Sequence, residues 1–94
     1  MSFVTISHWT ATEFTDEMIA KANKKFLPMV IANGATGVQM VRTGELSSCV
    51  ITHYADAAAA QAAQAKVADL REQAAKEFTM TLTSAYGGDI IGNG

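Results

Sequence analysis

Proline and cysteine are almost missing from this 94-residue chain, with Pro28 and Cys49 each standing alone. A single cysteine excludes a disulfide within the chain and fits a reducing compartment. Cys49 lies in an apolar segment with no cationic neighbour, so it reads as a buried structural thiol rather than a nucleophile. Charge is sparse as well: seven Lys and Arg against nine Asp and Glu give a net charge of −2. That balance offers no basic footprint for nucleic acid or an anionic membrane surface. Lys21, Lys24 and Lys25 cluster in one stretch, which a solvated helix face explains. No apolar run approaches the ~20 residues of a membrane span. The opening Met-Ser-Phe-Val-Thr-Ile lacks the basic and apolar regions of a signal peptide. A soluble, cytoplasmic protein is expected. A phosphate-binding loop is also missing, because Gly34 and Gly37 lack the strand, spacing and lysine it requires. No cofactor is expected.

What is abundant is hydrophobic material, 49% of the residues, enough for one domain over residues 1–94 but with no room for a second core. Phe3 to Ala11 alternates around β-branched residues as a strand does. Thr12 or Thr15 can cap a following helix whose stripe is Phe14, Met18, Ala22, Phe26 and Val30, with Glu13, Asp16 and Glu17 at the positive end of its dipole. Pro28 is expected to kink or end that helix, and Asn33-Gly34 to stop it. Strands over Thr36–Thr43 and Glu45–Tyr54 flank Gly44 as a hairpin. An alanine-rich helix then starts near Ala55 and Asp56. It turns Val67, Leu70, Ala74 and Phe78 to the core and Gln61, Gln64, Lys66, Asp69, Arg71, Glu72 and Lys76 to solvent. Thr79–Tyr86 is a last strand, and Gly87-Gly88 opens a short tail. The order strand-helix-strand-strand-helix-strand, with right-handed crossovers, predicts a ferredoxin-like α+β fold: a four-stranded antiparallel sheet, order 4-1-3-2, with two helices on one face.

One sheet face is left uncovered by that arrangement. With Val4, Ile6, Cys49, Ile51, Met80 and Leu82 turned to the helices, Phe3, Trp9, Leu46, Val50, Tyr54 and Val41 fall on the open side. Such a face is poor solvent surface for a monomer. Pairing with a second copy across a two-fold axis would bury it, at about 25 cal/mol per Å² of apolar area. A homodimer is expected.

Val50-Ile51-Thr52-His53-Tyr54-Ala55-Asp56, an apolar third strand ending in a polar-Tyr pair before the second helix, resembles the dimeric α+β barrel superfamily. That group includes small antibiotic-biosynthesis-type monooxygenases and stress-response barrels, and the likeness in topology spans nearly the whole chain. The resemblance implies two sheets packed face to face in a dimer and a ligand pocket between sheet and helices of each subunit. It also implies a possible cofactor-free monooxygenase activity. In those enzymes the position matched by His53 is often Asn, and a Trp commonly follows where this chain has Ala57 and its neighbours.

His53 is the first candidate for a functional side chain, since an imidazole at a pocket mouth can act as acid, base or hydrogen-bonding anchor. A histidine satisfied by backbone at the strand end is the structural alternative. Third and fourth strands run parallel, so His53 and Tyr86 are expected at one sheet end as a catalytic pair. Tyr54, His8 and Trp9 complete the expected ligand-contacting set, although Trp9 also suits an interface or core anchor. His8 shares the face of His53. A centred antiparallel register keeps the two apart by about five residues, about 17 Å, so no metal site is expected. Two functions follow: a dimeric module that holds a small apolar or aromatic molecule, and a cofactor-independent monooxygenase or related small enzyme using His53 with Tyr86 or Tyr54. Small residues from Ala57 to Ala65 either let the helix approach the sheet closely or leave room for a ligand; close packing is the expectation.

Overall fold

The computed structural model describes residues 2–94. Strand β1 (Phe3–Ala11) leads into α1 (Asp16–Lys21), a π-helical turn (Ala22–Phe26) and α2 (Leu27–Ala32). Strands β2 (Gly37–Gly44) and β3 (Ser47–Tyr54) form a hairpin, followed by α3 (Ala57–Glu77) and β4 (Met80–Asp89). The sheet order is β2-β3-β1-β4 with every neighbouring pair antiparallel, and the helices lie on one face, which is the ferredoxin-like α+β arrangement expected.

Local chemistry sets the element ends. Thr15 caps α1 by accepting the Met18 backbone N–H at 3.2 Å, with Asp16 and Glu17 in the first turn. The break expected at Pro28 takes the form of a π turn. Leu27 N–H bonds the carbonyl of Ala22, five residues back, and Pro28 falls in the first turn of α2, where a missing N–H is tolerated. Gly34, at φ 109°, ends the helical path after Asn33 as expected. Asp56 caps α3, its carboxylate accepting the Ala59 N–H at 2.8 Å. Asp56→Ala is expected to remove about 1 kcal/mol of stability, a fall of ~4–8 °C in a thermal melt. An unchanged melt would show that the cap contributes nothing.

The glycines expected to open a tail are part of β4: Gly87 pairs with Thr5 and Gly88 with Val4. A Cβ at Gly87 would lie 2.9 Å from the Phe3 ring, so glycine is what lets the strand pass that aromatic.

Which face meets the helices is the reverse of the expectation for β1 and β3. Phe3, Thr5, Ser7 and Trp9 stand opposite Tyr54, Thr52, Val50 and Ser48, and these two rows face the helices. Trp9 is 5% exposed and Tyr54 3%. Val4, Ile6, His8, Cys49, Ile51 and His53 form the open face, joined by Val41 as expected. Met80 faces the helices as expected and packs on the core of Phe26, Leu70 and Phe78. β4 does not keep one phase. Trp9 pairs with Leu82 but His8 with Ser84, so a bulge at Thr83 moves Tyr86 onto the open side.

The reversal has a packing reason. A second buried cluster sets Ala35 and Ala63, with Ala59, Ala60 and Val67, against Tyr54 and Phe3. An alanine-rich helix supplies little side-chain volume, so close packing requires large aromatic groups from the sheet. The β-branched Val4, Ile6 and Ile51 leave a flat opposite face suited to contact with another sheet.

Candidate functional site

Two cavities lie between α3 and the sheet. The inner one, about 100 Å³, is lined mainly by apolar groups that include Trp9, Phe14, Met18, Phe26, Met40 and Met80. An apolar cavity of about 150 Å³ can hold benzene, so this one admits only a small fragment of a ligand. The outer cleft, about 480 Å³, runs along α3 past Phe3, Thr5, Tyr54, Ala57, Ala60 and Gln61 to Ala85 and Gly87. That volume falls within the range of small-molecule sites, roughly 300–1,000 Å³. Val67 and Arg71 line both spaces and so mark the boundary between them. The alanine run therefore does both things the sequence allowed. Ala63 packs closely at 2% exposure, while Ala57, Ala60 and Ala68 leave the cleft open.

The expected site residues divide between the two faces. Trp9 reaches the inner cavity, its indole N–H donating to Ser7 Oγ at 2.9 Å. Tyr54 reaches the outer cleft. Both were expected on the open face. His53 and His8 take the opposite course: they were expected on the helix side and lie on the open face, lining neither cavity. Tyr86 borders the outer cleft through its place in β4, but its hydroxyl is 2.9 Å from His8 Nε2, with ring centroids 5.7 Å apart. The structure thus joins Tyr86 to His8 across the β1–β4 pair and not to His53. Val4, opposite His53, is four positions from His8, about 13 Å along the strand. Among the described residues no group of three or more His, Cys, Asp or Glu is placed to hold a metal ion. No helix is long and apolar enough to cross a membrane among these residues.

Arg71 is the site residue that the sequence reading placed elsewhere, on the solvated side of α3. It follows core-facing Val67 by four residues, the spacing that puts two side chains on one helix face. Its guanidinium is half-buried in both cavities. Burial lowers the Arg71 pKa, and the nearby Tyr54 partly restores it. Burial raises the Tyr54 hydroxyl pKa, opposed by the charge of Arg71. The cleft is therefore a trough with an apolar wall of Phe3 and alanines, neutral polar groups at Thr5, Gln61 and Gln64, and a cation and a neutral phenol at its inner end.

The architecture is ferredoxin-like, and solved structures match it over nearly full length. SnoaB, a cofactor-independent oxygenase from Streptomyces nogalater, superposes with TM-score 0.71 at 14% identity, covering 98% of this chain and 95% of its own. A dimeric ferredoxin-like protein from an uncultured marine organism gives TM-score 0.70 at 14% identity, covering 98% and 97%. A protein of unknown function from Nitrosomonas europaea gives TM-score 0.70 at 21% identity, covering 99% and 92%. No protein-family model and no curated protein matches the sequence. At these identities the likeness is one of fold.

Proposed function

We propose that the chain forms a homodimer and that each copy holds a small, largely apolar or aromatic molecule in the cleft beneath α3. The observation that carries the reading is the cleft itself, about 480 Å³, walled by Phe3, Tyr54 and the small side chains of α3. Self-association is supported by the uncovered face of Val4, Ile6, Val41 and Ile51, with Val41 42% exposed, and by the dimeric state named for one matched structure. Binding is favoured over turnover by the lining. Among the described residues no His, Cys, Asp or Glu borders either cavity. The one phenol buried there, Tyr54, has its pKa raised by burial and is held away from the phenolate that a base would need. The oxygenase activity named for SnoaB therefore lacks a base in this cleft, and His53 is on the wrong face to supply one.

The test uses phenylnaphthylamine, a neutral aromatic whose fluorescence rises on leaving water. Saturable binding of one molecule per chain is expected, and Ala68→Phe, which adds a ring to the cleft at an exposed position, is expected to weaken it at least ~tenfold, the effect of about 1.4 kcal/mol. Absence of saturable binding, or binding indifferent to Ala68→Phe, would overturn the reading.

A further inference from the structure

A half-buried guanidinium at the end of an apolar cleft normally has a counter-charge. Arg71 has none among the described residues. The ion pairs of the chain join Lys21 and Lys25 to Glu77 and Lys76 to Glu72. The neighbours of Arg71 on its own helix face are Val67, Ala68, Ala74 and Ala75, so no carboxylate lies one turn away in either direction. The sheet residues opposite, Thr5, Ser7, Thr52 and Tyr54, are uncharged at neutral pH. Neither the Arg71 side chain nor the Tyr54 hydroxyl makes a hydrogen bond to another described residue. The Tyr54 ring is buried at 3% exposure beside the same cleft. Five N–H donors in a planar fork and one phenolic O–H thus border a cleft that holds no carboxylate, its only acceptors being neutral ones such as Thr5, Gln61 and Gln64.

We propose that Arg71 is the anion anchor of this cleft, with Tyr54 as a second donor. Its occupant is then an aromatic or other flat apolar molecule that carries one acidic oxygen group, a carboxylate or an ionised phenol. The inference rests on the cleft-binding reading and adds the chemistry of the ligand's polar end. The apolar body would lie along Phe3, Ala57, Ala60 and Ala68, and the acidic group would meet Arg71 where the two cavities join. A planar carboxylate accepts two parallel N–H bonds from a guanidinium. The partial burial of Arg71 strengthens such a contact relative to one on an open surface. Burial working against the charge of Arg71, and against ionisation of Tyr54, points the same way.

Anilinonaphthalene sulfonate shares the aromatic body of phenylnaphthylamine and adds an anionic group, so the two probes separate the claims. The wild-type protein is expected to bind the sulfonate at least ~tenfold more tightly than the neutral amine. Arg71→Met is expected to erase that preference, whatever it does to the neutral probe alone, while Arg71→Lys keeps part of it. Tyr54→Phe is expected to cost the sulfonate a further ~tenfold to 100-fold, the range of one hydrogen bond to a charged group. Far-UV circular dichroism and a melt check that each variant is folded. On the wild-type protein, naphthoate is expected to displace the sulfonate at least ~tenfold more effectively than naphthamide, a comparison that needs no variant. A folded Arg71→Met with an unchanged preference, or naphthamide as effective as naphthoate, would overturn the anchor. Loss of neutral-probe binding with Arg71-dependent sulfonate binding intact would overturn only the apolar-ligand reading.

Discussion

Ile51→Glu is expected to convert the proposed dimer of 9.9 kDa chains into a monomer at micromolar concentration. Ile51 is in β3, an inner strand, with Ile6 on one side and Gln39 on the other. It therefore occupies the middle of the open face, away from solvent at any rim. A carboxylate introduced there is accommodated by a free monomer, because the face is open to water. In the dimer the same group would be desolvated against apolar side chains, and a two-fold axis would bring in a second one of the same sign. Burying an unpaired charge costs several kcal/mol, so the dissociation constant is expected to rise at least ~100-fold, about 2.7 kcal/mol. Light scattering or sedimentation over a dilution series reads the result directly. The wild type is expected near twice the chain mass and the variant near the chain mass, with similar far-UV circular dichroism. A monomeric wild type, or a variant that stays dimeric, would remove the proposed interface. Tyr86, on the same face and 57% exposed, provides a milder version of the test. Tyr86→Phe removes the contact with His8 Nε2 and leaves the apolar area in place, so it is expected to change dimer affinity only severalfold.

The architecture was legible because several independent signals agreed. The 94 residues contain two strong helical patterns, four strand-like segments and turn chemistry between them, and only a few topologies accommodate that order. β1 has the expected ends, Phe3–Ala11. Thr15 and Asp56 both cap, and Val67, Leu70, Ala74 and Phe78 face the core. What alternation alone could not settle was which side of the sheet the helices cover. Both faces of β1 and β3 are apolar, one through Val and Ile, the other through aromatic rings, so a period of two is equally satisfied by either choice. The deciding signal was elsewhere in the chain, in the small residues of α3, which can pack only on large partners such as Phe3 and Tyr54.

The errors about the site follow from that one ambiguity and from the bulge. Assigning the faces the other way carries His53 and His8 inward and Trp9 and Tyr54 outward, the reverse of their observed positions. Tyr86 follows from an unbroken phase in β4, and the shift between His8 and Trp9 breaks that phase. No residue near Thr83 announces a bulge, since the segment Thr-Leu-Thr-Ser-Ala reads as ordinary strand. Arg71 was missed for another reason. Charged residues on a helix flank are usually solvated, and only the lack of any acidic residue three or four positions away marks this one as different.

Phe78→Ala is expected to have the largest effect on stability of any single truncation in this core. Phe78 sits at the C-terminal end of α3 at 6% exposure. Its ring meets Phe26 edge-on, with centroids 5.2 Å apart and an interplanar angle of 65°. This contact joins the two helical segments, so its loss affects the whole layer that covers the sheet. Phe78 also walls the inner cavity of about 100 Å³. Truncation would merge the vacated volume with a space already empty, which limits how far the neighbours can relax inward. Large-to-small changes of this kind cost about 3–5 kcal/mol, rising with the void left behind. A chain of this length has a total stability of about 5–14 kcal/mol. The variant is therefore expected to melt ~12–40 °C lower, measured at fixed protein concentration because self-association would make the melt depend on it. Phe78→Leu keeps most of the volume and loses the edge-on aromatic contact, so it is expected to cost only about 1–1.5 kcal/mol. Equal losses in the two variants would show that the aromatic pair, and not the filling of the cavity wall, is what Phe78 contributes.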